Sequence, residues 1–524
     1  MTVAVPNNRT LKGLFYLLRA VKGEFLTVVL VLSTVGGAEG IVHPLVIKHI
    51  FDEGVLRHNF AQFVFYTCFY LMFGLSIVSI NAVGEIWRTA LENRVARFTI
   101  RRMLEAYYEK DYGDILLNGD GYFITRIHGD VHEGLIPLMR LVQTATRQVT
   151  LVLGMLGVLI YLSWKAFVVL GVLIPLAATI GSLLAKKIKR LTAEQRDQEG
   201  AALSILSKAL GAFRIVRGFK VAEPTIKAFD RHLSDYLSTG YRLYKSTRML
   251  QAFNSAVMNI SDFCSMFVGA LFVLRGALSF GGYLAFVNTF WRTITTLMQL
   301  LNYSAEYQRL AVMTTRIMSF ISSPGAVYYK TGASPAVSHL SFSYRETSVL
   351  TNISLELATG ERVAIIGPNG SGKTTLINIL AGYLAPSRGD VMLPENISAI
   401  TLPVSFPPVK IKDLVSNVEL LAAFGLGDET LSDAYADELS SGQQQKLALA
   451  LALSRDADLY IFDEPLANLD QGSKDIAMET LLAKTKGKTT ILIMHSFEEH
   501  KYTVDRVINI ADLKQNGVSA EQAT

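Results

Sequence analysis

Residues 364–380, AIIGPNGSGKTTLINIL, decide how the chain is read. Within them GPNGSGKT, residues 367–374, fits G-x-x-x-x-G-K-[ST], with a strand pattern, RVAII, running in and a helical pattern, TTLINILAGYL, running out. That context is what a phosphate cradle requires. Gly367, Gly370 and Gly372 let consecutive backbone N–H groups face one anion, with Pro368, Asn369 and Ser371 completing the loop, and the helix start adds its positive end. Lys373 can reach β- and γ-phosphates, and the Thr374 hydroxyl, followed by Thr375, can ligate Mg2+. The expected ligands are ATP and Mg2+.

The cradle stands behind a long apolar stretch. Of 524 residues, 50% are hydrophobic before glycine is counted and only 18% are charged; ordinary soluble domains reach roughly 45–50% with glycine included. This composition points to a chain living partly in lipid, and the length asks for two or more domains. A net charge of +5 is small for this size and gives no reason to invoke nucleic acid. Cys68 and Cys264 both lie inside apolar runs, so buried thiols are expected, with neither a disulfide framework nor a metal spacing.

A spanning helix needs about 20 mostly apolar residues. Six segments qualify approximately: 25–50, 63–87, 142–164, 166–184, 249–274 and 283–301. The first, third and fifth connections are short, whereas the second and fourth are long and polar. The long ones carry Arg88, Arg94, Arg97, Arg101, Arg102 and Lys110, then Lys186, Lys187, Lys189, Arg190, Arg196, Lys208 and Arg214; the short ones offer only Arg57, Lys165 and Arg275. Positive-inside bias therefore places the long connections, both termini and the phosphate cradle on the cytoplasmic side of the inner membrane, as a multi-pass protein. The N-terminus has the shape of a signal peptide, but the hydrophobic segments that follow favour an amphipathic elbow helix on the membrane face over residues 1–22. Helical spacing persists through the long connections, so spanning helices are expected to run beyond the bilayer, with a bend where Gly119 and Gly121 interrupt the pattern. The expected division is a membrane domain over 23–321, a Ser/Pro/Gly/Ala-rich linker over 322–337, an α/β domain over 338–515 and a tail over 516–524.

A second chemical element is LYIFDEP, residues 459–465, four apolar residues ending in two acids. Asp463 suits Mg2+, and Glu464 suits polarising a water for in-line attack on a γ-phosphate. Between cradle and acids lies ELSSGQQQKLALALALSRDADLYIFDE. Its Leu439, Ser440, Ser441, Gly442 and Gln443 resemble the L-S-G-G-Q signature of ATP-binding cassettes. With these motifs the whole chain resembles the ABC transporters, specifically exporter-type half-transporters in which a six-helix membrane domain precedes one nucleotide-binding domain. The fold class implied is multi-domain: an all-α transmembrane domain followed by an α/β P-loop NTPase domain.

The resemblance implies further roles. Tyr344 is the aromatic for adenine, Leu469 and Asp470 of ANLD touch the partner across a dimer, and His495 meets the γ-phosphate. Gly121, Arg126 and Asp130 match the segment that presses on the nucleotide domain. The signature residues Ser440, Gly442 and Gln443 close over ATP bound by a second copy, so the machine is a dimer of half-transporters, a homodimer by preference and a heterodimer as the alternative. Catalysis is assigned to Glu464, His495 and Lys373. There are departures. No glutamine occurs from Ala385 to Gly442, where the family has one facing Mg2+ and the membrane domain; Val404 or Ser405 stands nearest its place. Ser441 replaces a glycine, and the nucleotide domain looks trimmed in its helical insert.

Cargo is less legible. Glu39, His43, Asn81, Glu85, Asp262, Asn288, Trp291 and Arg292 interrupt the apolar spans, and such residues usually face a bundle interior. Asn288, Trp291 and Arg292 share one helical face and are the candidates for cargo contact. No peptidase domain precedes the first span, which argues against a leader-cleaving exporter. A small peptide, a natural product or a lipophilic compound is the expected cargo, moved outward among membrane lipids at the expense of ATP. An importer on the same fold with siderophore-like cargo, a lipid flippase, and a non-transport ABC ATPase acting on DNA or ribosomes are the other readings.

Overall fold

The computed structural model describes residues 13, 16–171, 173–322, 329–344, 347–494 and 504–513, with the side chains over most of 169–186 and a few elsewhere excepted. These fall into two compact units, Met1–Met103 with Ile124–Ile321, and Leu104–Phe123 with Ser322–Thr524. The first stretch read as an elbow lies mostly outside the described residues, although Leu17, Leu18 and Val21 are buried.

The first unit is helical throughout. Helix α1 (Lys22–His49) passes into a π-helical turn (Ile50–Val55), and α2 (Phe60–Tyr108) runs for 49 residues. Two short helices follow, α3 (Tyr112–Asn118) and α4 (Asp120–Ile124), then a π-helical segment (Thr125–Leu135), α5 (Ile136–Gly171), α6 (Leu173–Gly211), α7 (Phe213–Gly218), α8 (Ala222–Leu274) and α9 (Phe280–Ser322). Helices of 49, 53 and 43 residues are at least twice what a bilayer needs, so spanning helices do continue far beyond it. Four stretches meet the length and hydropathy of a span among the described residues: 22–55, 60–108, 120–168 and 222–274. Segment 283–301 is helical within α9, but Asn288, Arg292 and Gln299 dilute its hydropathy; segment 166–184 crosses side chains outside the description. The turn between the third and fourth expected spans falls at Ser163, whose φ of −164° and ψ of 94° interrupt α5.

The expected bend is at Gly119 alone. Its φ of 72° caps α3, whereas Gly121 is helical inside α4. A second break comes at Ala212, before α7. Helices α1 and α5 approach closely because Gly36 and Gly40 lie under α5 backbone: a Cβ at Gly40 would come within 2.5 Å of the Leu151 carbonyl oxygen. Small residues at such spacing let membrane helices pack by contact. Cys68, expected to be buried, is exposed on α2, and Cys264 is half-buried; neither is bridged.

The second unit carries two sheets. One has the order β1 (Lys330–Thr331), β5 (Arg388–Leu393), β2 (Ala336–Tyr344), β3 (Thr347–Glu356). The other is wholly parallel, ordered β6 (Ile397–Ile400), β7 (Leu459–Asp463), β8 (Thr489–Ile493), β4 (Arg362–Ile366), β9 (Arg506–Asn509). Strands β7 and β8 are buried at every residue, as an internal parallel strand covered on both faces must be. Part of the stretch read as linker is ordered sheet, since β1 and the first two residues of β2 fall within it. Helix α10 (Lys373–Leu380) follows β4. The insert between β6 and β7 holds the one-turn helices α11 (Ile411–Leu414), α12 (Val418–Ala423) and α13 (Glu429–Ser432), a 3-10 turn (Ala436–Glu438) and α14 (Ser441–Leu453). Its own core joins Leu420, Leu421, Phe424 and Leu447 to Phe462. Helix α15 (Gln471–Lys484) leads into β8.

Candidate nucleotide site

The parallel sheet ends where its three central strands deliver chemistry. Strand β4 runs into the glycine loop, β7 ends on Asp463 and Glu464, and β8 leads toward His495, which lies outside the described residues. Ligands collect at this carboxyl edge in open parallel sheets because loops and helix N-termini converge there.

The loop adopts a conformation that side chains resist. Gly370 and Gly372 take φ of 79° and 101°, values that glycine reaches without a Cβ penalty. Lys373, only 8% exposed, donates from Nζ to the carbonyl oxygens of Gly367 at 2.7 Å and Pro368 at 3.1 Å. Its ammonium is thus folded back across the loop rather than extended into solvent. The Ser371 hydroxyl is buried with no hydrogen-bond partner among the described residues. Pro368, Asn369 and Thr374 are exposed on the same loop, and Thr375 is buried behind it.

Asp463 is 3% exposed at the end of an all-buried strand. Burial pushes its carboxyl above the ordinary carboxylate range, and the neighbouring Glu464 adds to the rise. The Leu402 N–H, the charge of Lys373 and the Thr374 hydroxyl pull the other way. A desolvated carboxylate touching a threonine hydroxyl beside a phosphate cradle is a donor set of hard oxygens, which fits Mg2+. Glu464 adopts φ of 49°, unusual for a residue with a side chain, and its N–H donates to the Ile493 carbonyl at 3.3 Å.

The signature residues start a helix. Ser440 is the N-cap of α14, and Gln443 closes a capping box by returning its side chain to the Ser440 N–H at 3.0 Å. Ser441 is the first helical residue with ordinary negative φ, so its position makes no demand for glycine. Gly442 is different: a Cβ there would lie 3.0 Å from the Asn468 carbonyl oxygen. Asp470 caps α15, accepting from the Ser473 N–H at 3.1 Å, and the Ser473 hydroxyl and N–H hold its carboxyl below the usual range. Tyr344 ends β2 half-buried, its ring edge-on to Phe342 at 4.8 Å. Val404 packs on the core of the insert and Ser405 is exposed, so neither reproduces a buried amide.

Two groups escaped the sequence reading. Gln445, 3% exposed, donates from Nε2 to the carbonyls of Glu464 at 3.4 Å and Pro465 at 3.1 Å, tying the signature helix to the acid. A polar residue on the buried face of QQKLALALALS is the signal that marks it. In the first unit, Arg292 belongs to a cluster rather than standing alone: Glu39 accepts from Arg292 at 2.7 Å and from Arg147 at 3.2 Å. Asn288 and Trp291 are exposed on the same helix face. Arg126 and Asp130 pair with each other at 3.3 Å within the first unit, whereas Gly121 belongs to the second.

Comparison with known proteins agrees along the chain. Residues 26–298 match the ABC transporter transmembrane region family, and residues 350–467 match the ABC transporter family. Relatives include the ATP-dependent lipid A-core flippase of Burkholderia thailandensis, 25% identical over 82% of this chain and 77% of its own length. The alpha-hemolysin translocation ATP-binding protein HlyB of Escherichia coli is 23% identical over 89% of this chain and 72% of its own. Among solved structures, a bacterial Atm1-family ABC exporter with ATP bound superposes with a TM-score of 0.77 at 17% identity, covering 96% of this chain and 99% of that one. A membrane region of this family rules out the soluble, non-transport reading. The chain belongs to the ABC transporter family, as a half-transporter of exporter architecture that couples ATP hydrolysis to transport across a membrane.

Proposed function

We propose that two copies of this chain form a homodimeric exporter that hydrolyses ATP at two shared sites and moves a small peptide, natural product or lipophilic compound outward across the inner membrane. The observation that carries this reading is the placement, in one polypeptide, of Lys373, the Asp463–Glu464 pair and a signature helix start. A single chain thus brings everything two identical sites require. Thr374 and Asp463 hold Mg2+, which supplies charge neutralisation on the transferred phosphoryl oxygens. Lys373 moves from the loop carbonyls to the β- and γ-phosphates. Glu464 orients the attacking water and takes its proton, and His495 meets the γ-phosphate. Ser440, Gly442 and Gln443 cover the partner copy's ATP. Tyr344 stacks on adenine, and Asp470 faces the dimer partner while capping α15. The termini and the nucleotide domain face the cytoplasm.

Cargo enters through the same reading. Arg147 and Arg292 share one carboxylate, so the cluster at Glu39 holds a net positive charge inside apolar helices, which favours cargo with an anionic group. Asn288 and Trp291 line the approach. A lipid flippase is the second reading, favoured by the relatives of that name. Purified chain reconstituted in lipid tests the first reading. ATPase should fall roughly 100–10,000-fold in Glu464→Gln while ATP binding is retained. Inverted vesicles should accumulate cargo in their lumen. A protein that is monomeric when ATP-bound, or as active without Glu464, sinks the proposal.

A further inference from the structure

Three helices of the membrane unit bring charge to one place. Glu39 comes from α1, Arg147 from α5 and Arg292 from α9. Each oxygen of the carboxylate takes a different guanidinium: Oε1 accepts from Arg292 at 2.7 Å and Oε2 from Arg147 at 3.2 Å. Two cations therefore face one anion, and among the described residues no second carboxylate pairs with either arginine. Polar atoms are also left over. The Arg147 Nε and, one turn along α1 from Glu39, the His43 Nδ1 are buried without a hydrogen-bond partner among the described residues. Gln148, next along α5, donates to Gln299 of α9 at 3.0 Å; that pair is neutral and leaves the count of charges unchanged. Glu39, Arg292 and Arg147 keep 14%, 27% and 33% of their side-chain surface, so a guest can reach the charges without unpacking the helices.

We propose that each copy's cluster seats one monoanionic head group, and that Glu39 is the specificity-determining residue that sets this count. The inference rests on the export reading and narrows its cargo to lipophilic acids carrying a single negative charge. Among apolar helices an uncompensated charge of either sign is costly. With Glu39 in place the cluster carries one spare positive charge, which a carboxylate cancels. A dianion leaves the assembly negative, and a cation doubles the surplus. The arginine forks suit a carboxylate in shape as well, since each guanidinium keeps N–H groups that Glu39 does not use. Glu39 thus braces the arginines while cargo is absent and refuses a second negative charge when cargo is bound.

The test uses full-length, nucleotide-free protein in lipid nanodiscs at pH 8, with binding to empty nanodiscs subtracted. Three probes share one tail and differ in charge: dodecanoate, dodecyl phosphate and dodecylamine, each competing with radiolabelled dodecanoate. Wild type should bind dodecanoate about tenfold or more tighter than either of the other two. Glu39→Gln should bind dodecyl phosphate about tenfold tighter than wild type does, with dodecanoate no weaker, a gain that the loss of a structural brace cannot give. Arg147→Gln cancels the surplus while leaving the Glu39–Arg292 pair, and should lose dodecanoate without gaining phosphate. Where Glu39→Gln unfolds too readily to titrate, its melting temperature becomes the readout, and dodecyl phosphate should raise it by more than it raises wild type. The proposal is overturned if wild type shows no saturable dodecanoate binding or does not discriminate among the probes, and equally if Glu39→Gln weakens both anions together. ATPase is read on the same nanodiscs: its absence from wild type sinks the export reading and this inference with it, whereas ATPase that persists while the probes are not told apart sinks this inference alone.

Discussion

Two charged clusters, one at the edge of the parallel sheet and one among the membrane helices, are built on opposite principles. At the sheet edge, Lys373 is parked on backbone carbonyls, burial pushes the Asp463 carboxyl above its ordinary range, and the buried Ser371 hydroxyl has no partner among the described residues. Lys373 and Asp463 are held only by backbone groups, a hydroxyl and each other's charge, which a phosphate and a cation can outbid. In the membrane unit Glu39 is already satisfied by Arg147 and Arg292, from helices 108 and 253 residues away in sequence. The first is a site whose partners come from outside; the second is a cluster closed mainly on itself. A cleavable nucleotide demands the former, because binding must be made and lost each cycle, whereas helices in lipid must meet their charges internally or through a guest.

The largest expected effect tests the open site. Lys373→Ala removes the cation folded over the loop, and ATPase should fall about 1,000-fold with ATP affinity falling too. Isothermal titration with a non-hydrolysable analogue separates the two. Unchanged affinity would show that the backbone N–H groups alone carry the phosphates. The closed cluster responds differently. Glu39→Gln strips two arginines of their shared carboxylate, and thermal unfolding should show a loss of about 2–3 kcal/mol, below the 3–5 expected for full burial because all three side chains keep some exposure. Arg292→Gln leaves Arg147 on Glu39 and should cost about 1 kcal/mol or less. If both variants keep wild-type stability and only transport falls, the cluster serves cargo rather than packing.

The same contrast explains what the amino-acid sequence disclosed. The nucleotide site was legible because its parts are contiguous: a loop conformation needs glycines at fixed positions, a buried strand needs an apolar run, and a helix start needs a cap. Ser441 shows the limit, since its ordinary helical φ makes no backbone demand for glycine while Gly442 is held by the nearness of Asn468. What failed to show were contacts between distant segments. Nothing near Glu39 announces Arg147 or Arg292, because no periodicity links residues on different helices. The linker stretch is partly sheet for a related reason: Ser, Pro and Gly mark a break, yet β1 and the first two residues of β2 form inside it because β5 supplies the partners. Gln445 lies between these extremes, visible as a polar residue on an apolar face but not as the support of Glu464. Gln445→Leu leaves the Glu464 and Pro465 carbonyls buried without that donor, and kcat should fall about tenfold with KM for ATP unchanged. A change confined to KM would instead place the residue in nucleotide binding.

The smallest effect sharpens the comparison most, because it asks what the open site costs the protein when empty. Burial and the adjacent Glu464 raise the Asp463 carboxyl above its unfolded value. For an acid the sign follows directly: the neutral form is favoured by folding, so stability is highest below the unfolded value. It declines as pH rises through the interval up to the folded one, and the deficit persists above it. At neutral pH without nucleotide, the raised Asp463 carboxyl therefore works against the fold. Asp463→Asn should raise the melting temperature of the nucleotide-free protein by roughly 1–3 °C at pH 7 and by nothing at the acid end, while abolishing Mg2+-dependent ATPase. Adding Mg2+ and ATP should reverse the order, stabilising the parent above the variant, since the cation adds a charged partner to the buried carboxylate. A variant less stable than its parent in the nucleotide-free state would mean that the Leu402 N–H and Thr374 hydroxyl already compensate the charge, and that this end of β7, like Glu39, is closed on itself.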